Sequence, residues 1–66
     1  MPSTVIRAHH YDPAARELEV LFTTGRRYVY RDVPQEEVDA FRAAFSKGRY
    51  FNAHIRDAYD YAELAA

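Results

Sequence analysis

The side chains best suited to chemistry gather in one stretch of the chain. Between Ala40 and Ile55 there is no acidic residue, whereas Arg42, Lys47 and Arg49 are basic and Arg56 extends the run. Two arginine forks beside the free amides of a helix start can hold a phosphate, and the ring of Tyr50 can stack on a base. If residues 49 to 56 are helical, Arg49, Asn52 and Arg56 fall within about 60° of one another, since each residue turns about 100°. Phe51 and Ile55 then lie roughly opposite, so the polar trio stands outside the buried stripe. The same trio also has a structural explanation, in which Arg56 pairs with Asp57, Asp60 or a carbonyl and Asn52 caps the neighbouring strand.

Other constellations point away from chemistry. Tyr28 and Tyr30, with Arg26, Arg27 and Arg31 nearby, resemble sheets whose exposed aromatics stack RNA bases. They share a face with Leu18, Val20 and Phe22, however, and the core is the better place for these rings, with the hydroxyls bonded at its margin. His9 and His10 are adjacent in an expected strand and point to opposite faces, so they cannot chelate one ion together, and His54 has no local ligand partner. No metal or other cofactor is expected. Ser46 is best explained as a helix cap before Arg49, and Asp57 and Asp60 as solvated charges. With no nucleophile beside a base and little volume for a substrate pocket, an enzyme is not expected.

The elements that must position these residues are few, because 66 residues form one domain at most. The absence of cysteine excludes disulfides and thiolate sites, so the core must be dense through its six Tyr and four Phe, each able to bury roughly 150 to 250 Å². No basic segment leads into an apolar run at the amino terminus, and no stretch approaches the about 18 apolar residues of a membrane span. A cytoplasmic domain without a membrane partner is expected. A net charge of -1 argues against global attraction to nucleic acid and leaves only local patches to provide it.

Residues Thr4 to Tyr11 read as a first strand closed by a turn at Asp12-Pro13. Leu18, Val20 and Phe22 alternate with Glu17 and Glu19 in a second strand, and Tyr28 and Tyr30 alternate with Arg27, Val29 and Arg31 in a third. A loop of Thr24, Gly25 and Arg26 would set Phe22 opposite Tyr28, Val20 opposite Tyr30, and Glu19 opposite Arg31 on the outer face. Pro34 as first helical residue, followed by Gln35, Glu36 and Glu37, opens a helix whose Val38, Phe41, Ala44 and Phe45 cover the sheet. Lys47 and Gly48 end it, a second helix spans 49 to 56 with Phe51 and Ile55 inward and Tyr59 or Tyr61 anchoring it, and the Ala-rich end frays. The expected fold is α+β, a three-stranded antiparallel meander with two helices on one face.

The run Ser46-Lys47-Gly48-Arg49-Tyr50-Phe51-Asn52, followed by Ile55-Arg56 and Tyr59, resembles the signature of the KTSC domain family. The likeness extends through Tyr11-Asp12, Leu18 to Phe22, Gly25, Tyr28, Tyr30 and Val33-Pro34, nearly the whole chain. His9, His10 and Arg26 depart from it, standing where related sequences commonly have an apolar residue, Gly and a second Gly. The family is named after members at the carboxyl end of some lysyl-tRNA synthetases. The resemblance implies no reaction and no ligand, and it suggests an RNA role only through that association. The expected function is an accessory RNA-binding module using Arg49, Asn52 and Arg56 on phosphate, with Lys47 and Arg42 supporting and Tyr50 stacking. The alternative is a module for protein interaction or self-association through exposed aromatics near Tyr59 and Tyr61.

Overall fold

Alternation of apolar and charged residues puts Leu18 and Val20 on one side of a strand and Glu17 and Glu19 on the other, and only the first side is buried. That strand is the second of four in an antiparallel sheet of order β1-β2-β3-β4. The computed structural model describes residues 6–64. Its elements are β1 (Ile6–Asp12), β2 (Glu17–Phe22), β3 (Arg27–Tyr30), α1 (Gln35–Ala43), α2 (Lys47–Tyr50), a π-helical turn (Phe51–Ile55) and β4 (Tyr61–Leu64). Thr4 and Val5 of the expected first strand lie outside the described residues, as do Ala65 and Ala66. Val38 and Phe41 of α1 and Phe51 and Ile55 of the π turn close over Tyr11, Leu18, Val20, Tyr30 and Val33, forming one core on one face of the sheet.

The turn at Asp12-Pro13 forms as expected, with one Asp12 carboxylate oxygen accepting from the amides of Ala14 at 3.1 Å and Ala15 at 3.4 Å. The tip of the next hairpin stands one residue earlier than expected, which shifts the strand register by two. It consists of Thr23, Thr24 and Gly25, so Val20 faces Tyr28 and Leu18 faces Tyr30. Gly25 has φ +93°, and its amide donates to the Phe22 carbonyl at 2.9 Å. A three-residue hairpin needs its left-handed residue in the last loop position, where glycine is least strained, and this fixes the tip. The odd loop length keeps every side chain on its expected face. Glu19 therefore faces Val29 rather than Arg31, and its ion pair, at 2.7 Å, is made diagonally with Arg27.

The expected end of α1 is also displaced. The chain turns extended at Ala44 (ψ 139°), and Ser46 opens α2, its hydroxyl accepting from the Arg49 amide at 3.4 Å. Serine is a strong helix opener, so Lys47 and Gly48 begin the second helix instead of ending the first. Phe45, expected to cover the sheet, is left on the connector with 106% relative exposure. Pro34 sits one residue before the helix, and Glu36 and Glu37 occupy its first turn as expected.

The sheet has four strands where three were expected. Tyr61–Leu64 pairs with β3, Tyr61 facing Tyr30 and Ala62 facing Val29, and the Arg31 amide leads into this pairing by donating to the Asp60 carbonyl at 2.8 Å. Ala and Glu are poor strand formers, so four residues of this composition carry little local signal.

Candidate nucleic-acid interface

The added strand creates a feature that a three-stranded sheet would lack. Phe22 at the end of β2, Tyr28 and Tyr30 on β3, Tyr61 on β4 and Phe51 on the π turn form a closed circuit of ring contacts. Its centroid distances are 5.5 Å for Phe22–Tyr28, 5.7 Å for Tyr28–Tyr61, 5.3 Å for Tyr61–Tyr30, 5.2 Å for Tyr30–Phe51 and 5.5 Å for Phe51–Phe22. The Phe22 contacts and the Tyr30–Phe51 contact are edge-to-face, the geometry ring quadrupoles favour. The circuit lines an open groove of about 380 Å³ whose remaining walls are Thr23, Thr24, Arg26, Arg56 and Asp57. Tyr30 and Phe51 are buried and form its floor, whereas Phe22 and Tyr28 are half-buried and Tyr61 is 55% exposed. Burial, then the neighbouring Tyr61 and Tyr28, pushes the Tyr30 phenol up to about 12.

The six residues expected to bind anions are distributed around the helical stretch. Arg56 stands on the groove rim, and Arg49 and Asn52 do not line the groove. The chain over 49 to 56 is not one uninterrupted α-helix, because the π turn begins at Phe51. The Arg56 amide donates to the Phe51 carbonyl at 2.9 Å, an i to i+5 bond, so the angular spacing of these residues differs from that of an α-helix. Arg42 and Lys47 lie on the side of His9, where both charges, after burial, lower the imidazole pKa. Arg42, Lys47, Arg49 and Arg56 are all exposed, and the ion pairs within 4.0 Å among the described residues involve other side chains, Arg26–Glu63 and Arg27–Glu19.

Tyr50 is already occupied. Its ring stacks on His54 with centroids 4.4 Å apart, and its hydroxyl donates to one oxygen of Glu37 while the Tyr59 hydroxyl donates to the other at 3.0 Å. The Glu37 acceptor, first among the causes, pushes the Tyr50 phenol up to about 12. Tyr50 thus joins α2 to α1. The clamp was not anticipated because nothing local in the sequence links residue 37 to residues 50 and 59.

His9 and His10 point to opposite faces, as their adjacency in a strand requires: His9 is paired with Val20 on the core face and His10 with Glu19 on the outer face. His9 meets Phe41 edge-on at 5.0 Å, and its Nδ1 is buried without a hydrogen-bond partner. Among the described residues no group of three or more His, Cys, Asp or Glu side chains is placed to hold a metal ion. Likewise, among them no helix is long and apolar enough to cross a membrane.

Comparison with known proteins follows the same lines. A protein of Tsukamurella paurometabola is 43% identical over 54 residues, covering 82% of this chain and 81% of that one. An uncharacterized protein of Stutzerimonas stutzeri is 44% identical over 52 residues, covering 79% and 73%. A lysine–tRNA ligase of a Nostoc species is 33% identical over 60 residues, which is 91% of this chain but 11% of the ligase. The crystal structure of a KTSC domain protein from Yersinia pestis superposes with a TM-score of 0.86 at 32% identity, covering 98% of this chain and 94% of that one. The KTSC domain model itself matches residues 2–59, and with these relatives and this fold the chain belongs to the KTSC domain family.

Proposed function

We propose that this domain is an accessory nucleic-acid-binding module for single-stranded RNA. The observation that carries the reading is the run from Ala40 to Ile55, which has no acidic side chain and exposes Arg42, Lys47 and Arg49, with Arg56 beyond it, on a protein of net charge -1. On an acidic chain such segregation gives a local field that attracts phosphates without general stickiness. The Nostoc lysine–tRNA ligase supports it by containing a similar segment. The Arg49 amide is capped by Ser46, so attraction to phosphate rests on side chains and not on the start of α2. Anisotropy of labelled single-stranded RNA, tRNA and duplex DNA at low and near-physiological salt tests the proposal. Binding whose logarithm falls linearly with log salt, at roughly -0.7 per phosphate contacted, supports it, and triple replacement of Arg42, Lys47 and Arg49 by Gln should flatten that slope. No binding at low salt overturns it.

A second reading, a module for protein interaction, is favoured by one specific observation: Phe45 is fully exposed on the connector between α1 and α2. It predicts association indifferent to nucleic acid.

A further inference from the structure

We propose that the five-ring groove is a binding site for one unstacked nucleotide of a single strand, its base against Tyr28 and Tyr61 and its phosphate on Arg56. This deepens the RNA reading and rests on it. Three features of the groove select such an occupant. Tyr30 and Phe51 are buried, so the rings with free surface are those of the walls, and Tyr61 at 55% exposure offers most of it. A tyrosine surface left open beside a rigid aromatic floor suits a planar apolar partner, and every base has a π face.

Charge then decides what the planar partner carries. The groove holds Arg26 and Arg56 against Asp57, a balance of two cations to one anion. An aromatic cage for an ammonium group needs the reverse, because the cation must meet ring faces without competing guanidinium groups. Arg26 is hydrogen-bonded to Tyr28 and stands 4.0 Å from Glu63, and its side chain is 66% exposed, so it holds a cation beside the Tyr28 wall within reach of a phosphate. Polar groups come third. Thr23 and Thr24 at the hairpin tip bring hydroxyls to the mouth, where the edge of an inserted base needs donors and acceptors. The volume of about 380 Å³ falls within the range of small-ligand sites.

The test separates this site from the basic surface. The full chain is titrated with UMP, AMP and inorganic phosphate while the ring resonances of Tyr28 and Tyr61 are followed by NMR. In parallel, a single-stranded RNA and an abasic strand of equal length and charge are compared by anisotropy. The nucleotides should shift both rings more than phosphate does, and the abasic strand should bind about tenfold more weakly. Arg56→Gln should weaken UMP binding severalfold, and Tyr61→Leu, which keeps apolar bulk on β4, should abolish the difference between the two strands. Equal, salt-sensitive binding of both strands with unmoved rings overturns the groove and leaves the RNA reading standing. Ring shifts with nucleotides but no strand binding at any salt keep the nucleotide site and overturn the RNA reading. Ring shifts no larger than those given by phosphate reduce the groove to an anion contact and overturn it.

Discussion

The hydroxyl of Tyr11 donates to the carbonyl oxygen of Val33 at 2.6 Å, joining β1 to the connector before α1 across 22 residues of sequence. Val33 is held from its other side as well, its amide donating to the Arg16 carbonyl at 3.0 Å, so this fully buried residue has both backbone groups satisfied from distant parts of the chain. The connector is thereby fixed at the point where α1 is aimed across the sheet.

Tyr11→Phe keeps the ring in the core and removes only the donor. The Val33 carbonyl then loses this bond in a place water cannot reach, and stability should fall by about 1–3 kcal/mol. A urea titration should show a lower midpoint at unchanged slope, since the surface exposed on unfolding is the same. An unchanged midpoint would mean the connector is held by its packing alone.

Glu37 accepts from Tyr50 and Tyr59, and both phenols titrate higher than usual, Tyr50 at about 12. A phenol whose folded pKa exceeds its unfolded value near 10 contributes stability that is complete below pH 10 and is lost as pH rises towards 12. Glu37→Ala should lower stability at pH 7 by about 1 kcal/mol and flatten this alkaline loss; Glu37→Gln, which retains one acceptor oxygen, should do less of both. Thermal unfolding between pH 8 and 11.5 measures the pair, and an alkaline arm identical in wild type and Glu37→Ala would exclude the clamp as its source.

His9 governs the acid side. Burial first, then Arg42 and Lys47, lowers its pKa from 6.5, so the unfolded chain takes up its proton before the folded one does. Stability should therefore decline as pH falls below about 6.5, the unfolded value. His9→Leu should remove that decline and raise stability at pH 5, because the buried Nδ1 without a partner is replaced by an apolar group against Phe41. NMR titration of the imidazole, together with urea midpoints at pH 5 and 7, checks both statements. An imidazole titrating at or above 6.5 would contradict them.

Local patterns made the sheet faces and the core legible. The period-two alternation of Leu18, Val20, Tyr28 and Tyr30 survives the register shift, because a hairpin tip moved by one residue at constant odd length keeps parity. What was not legible was settled by single-residue competition or by long-range pairing. Ser46 outweighs the helical spacing of Ala44 and Phe45 and restarts the helix. The i to i+5 bond at Arg56 departs from the α-helical spacing that a helical wheel assumes, and of Arg49, Asn52 and Arg56 the last lines the groove. Tyr61 becomes a groove wall only once β4 docks on β3, a contact with no local trace in Tyr61-Ala62-Glu63-Leu64.

Phe45 offers the last prediction, because its 106% relative exposure leaves it no share in the core. An apolar ring that is as wet in the folded chain as in the unfolded one contributes nothing through burial, so Phe45→Ser should change stability by no more than about 0.5 kcal/mol. Its effect on association is the sharper measurement. If the connector docks a second copy of the chain, sedimentation velocity across a hundredfold range of concentration should show a dimer in the wild type that Phe45→Ser dissolves at unchanged melting temperature. A monomer in both leaves self-association without its best anchor. A drop of several degrees in the variant would show instead that Phe45 packs within the domain, since only a residue shielded in the folded state can lose that much on becoming serine.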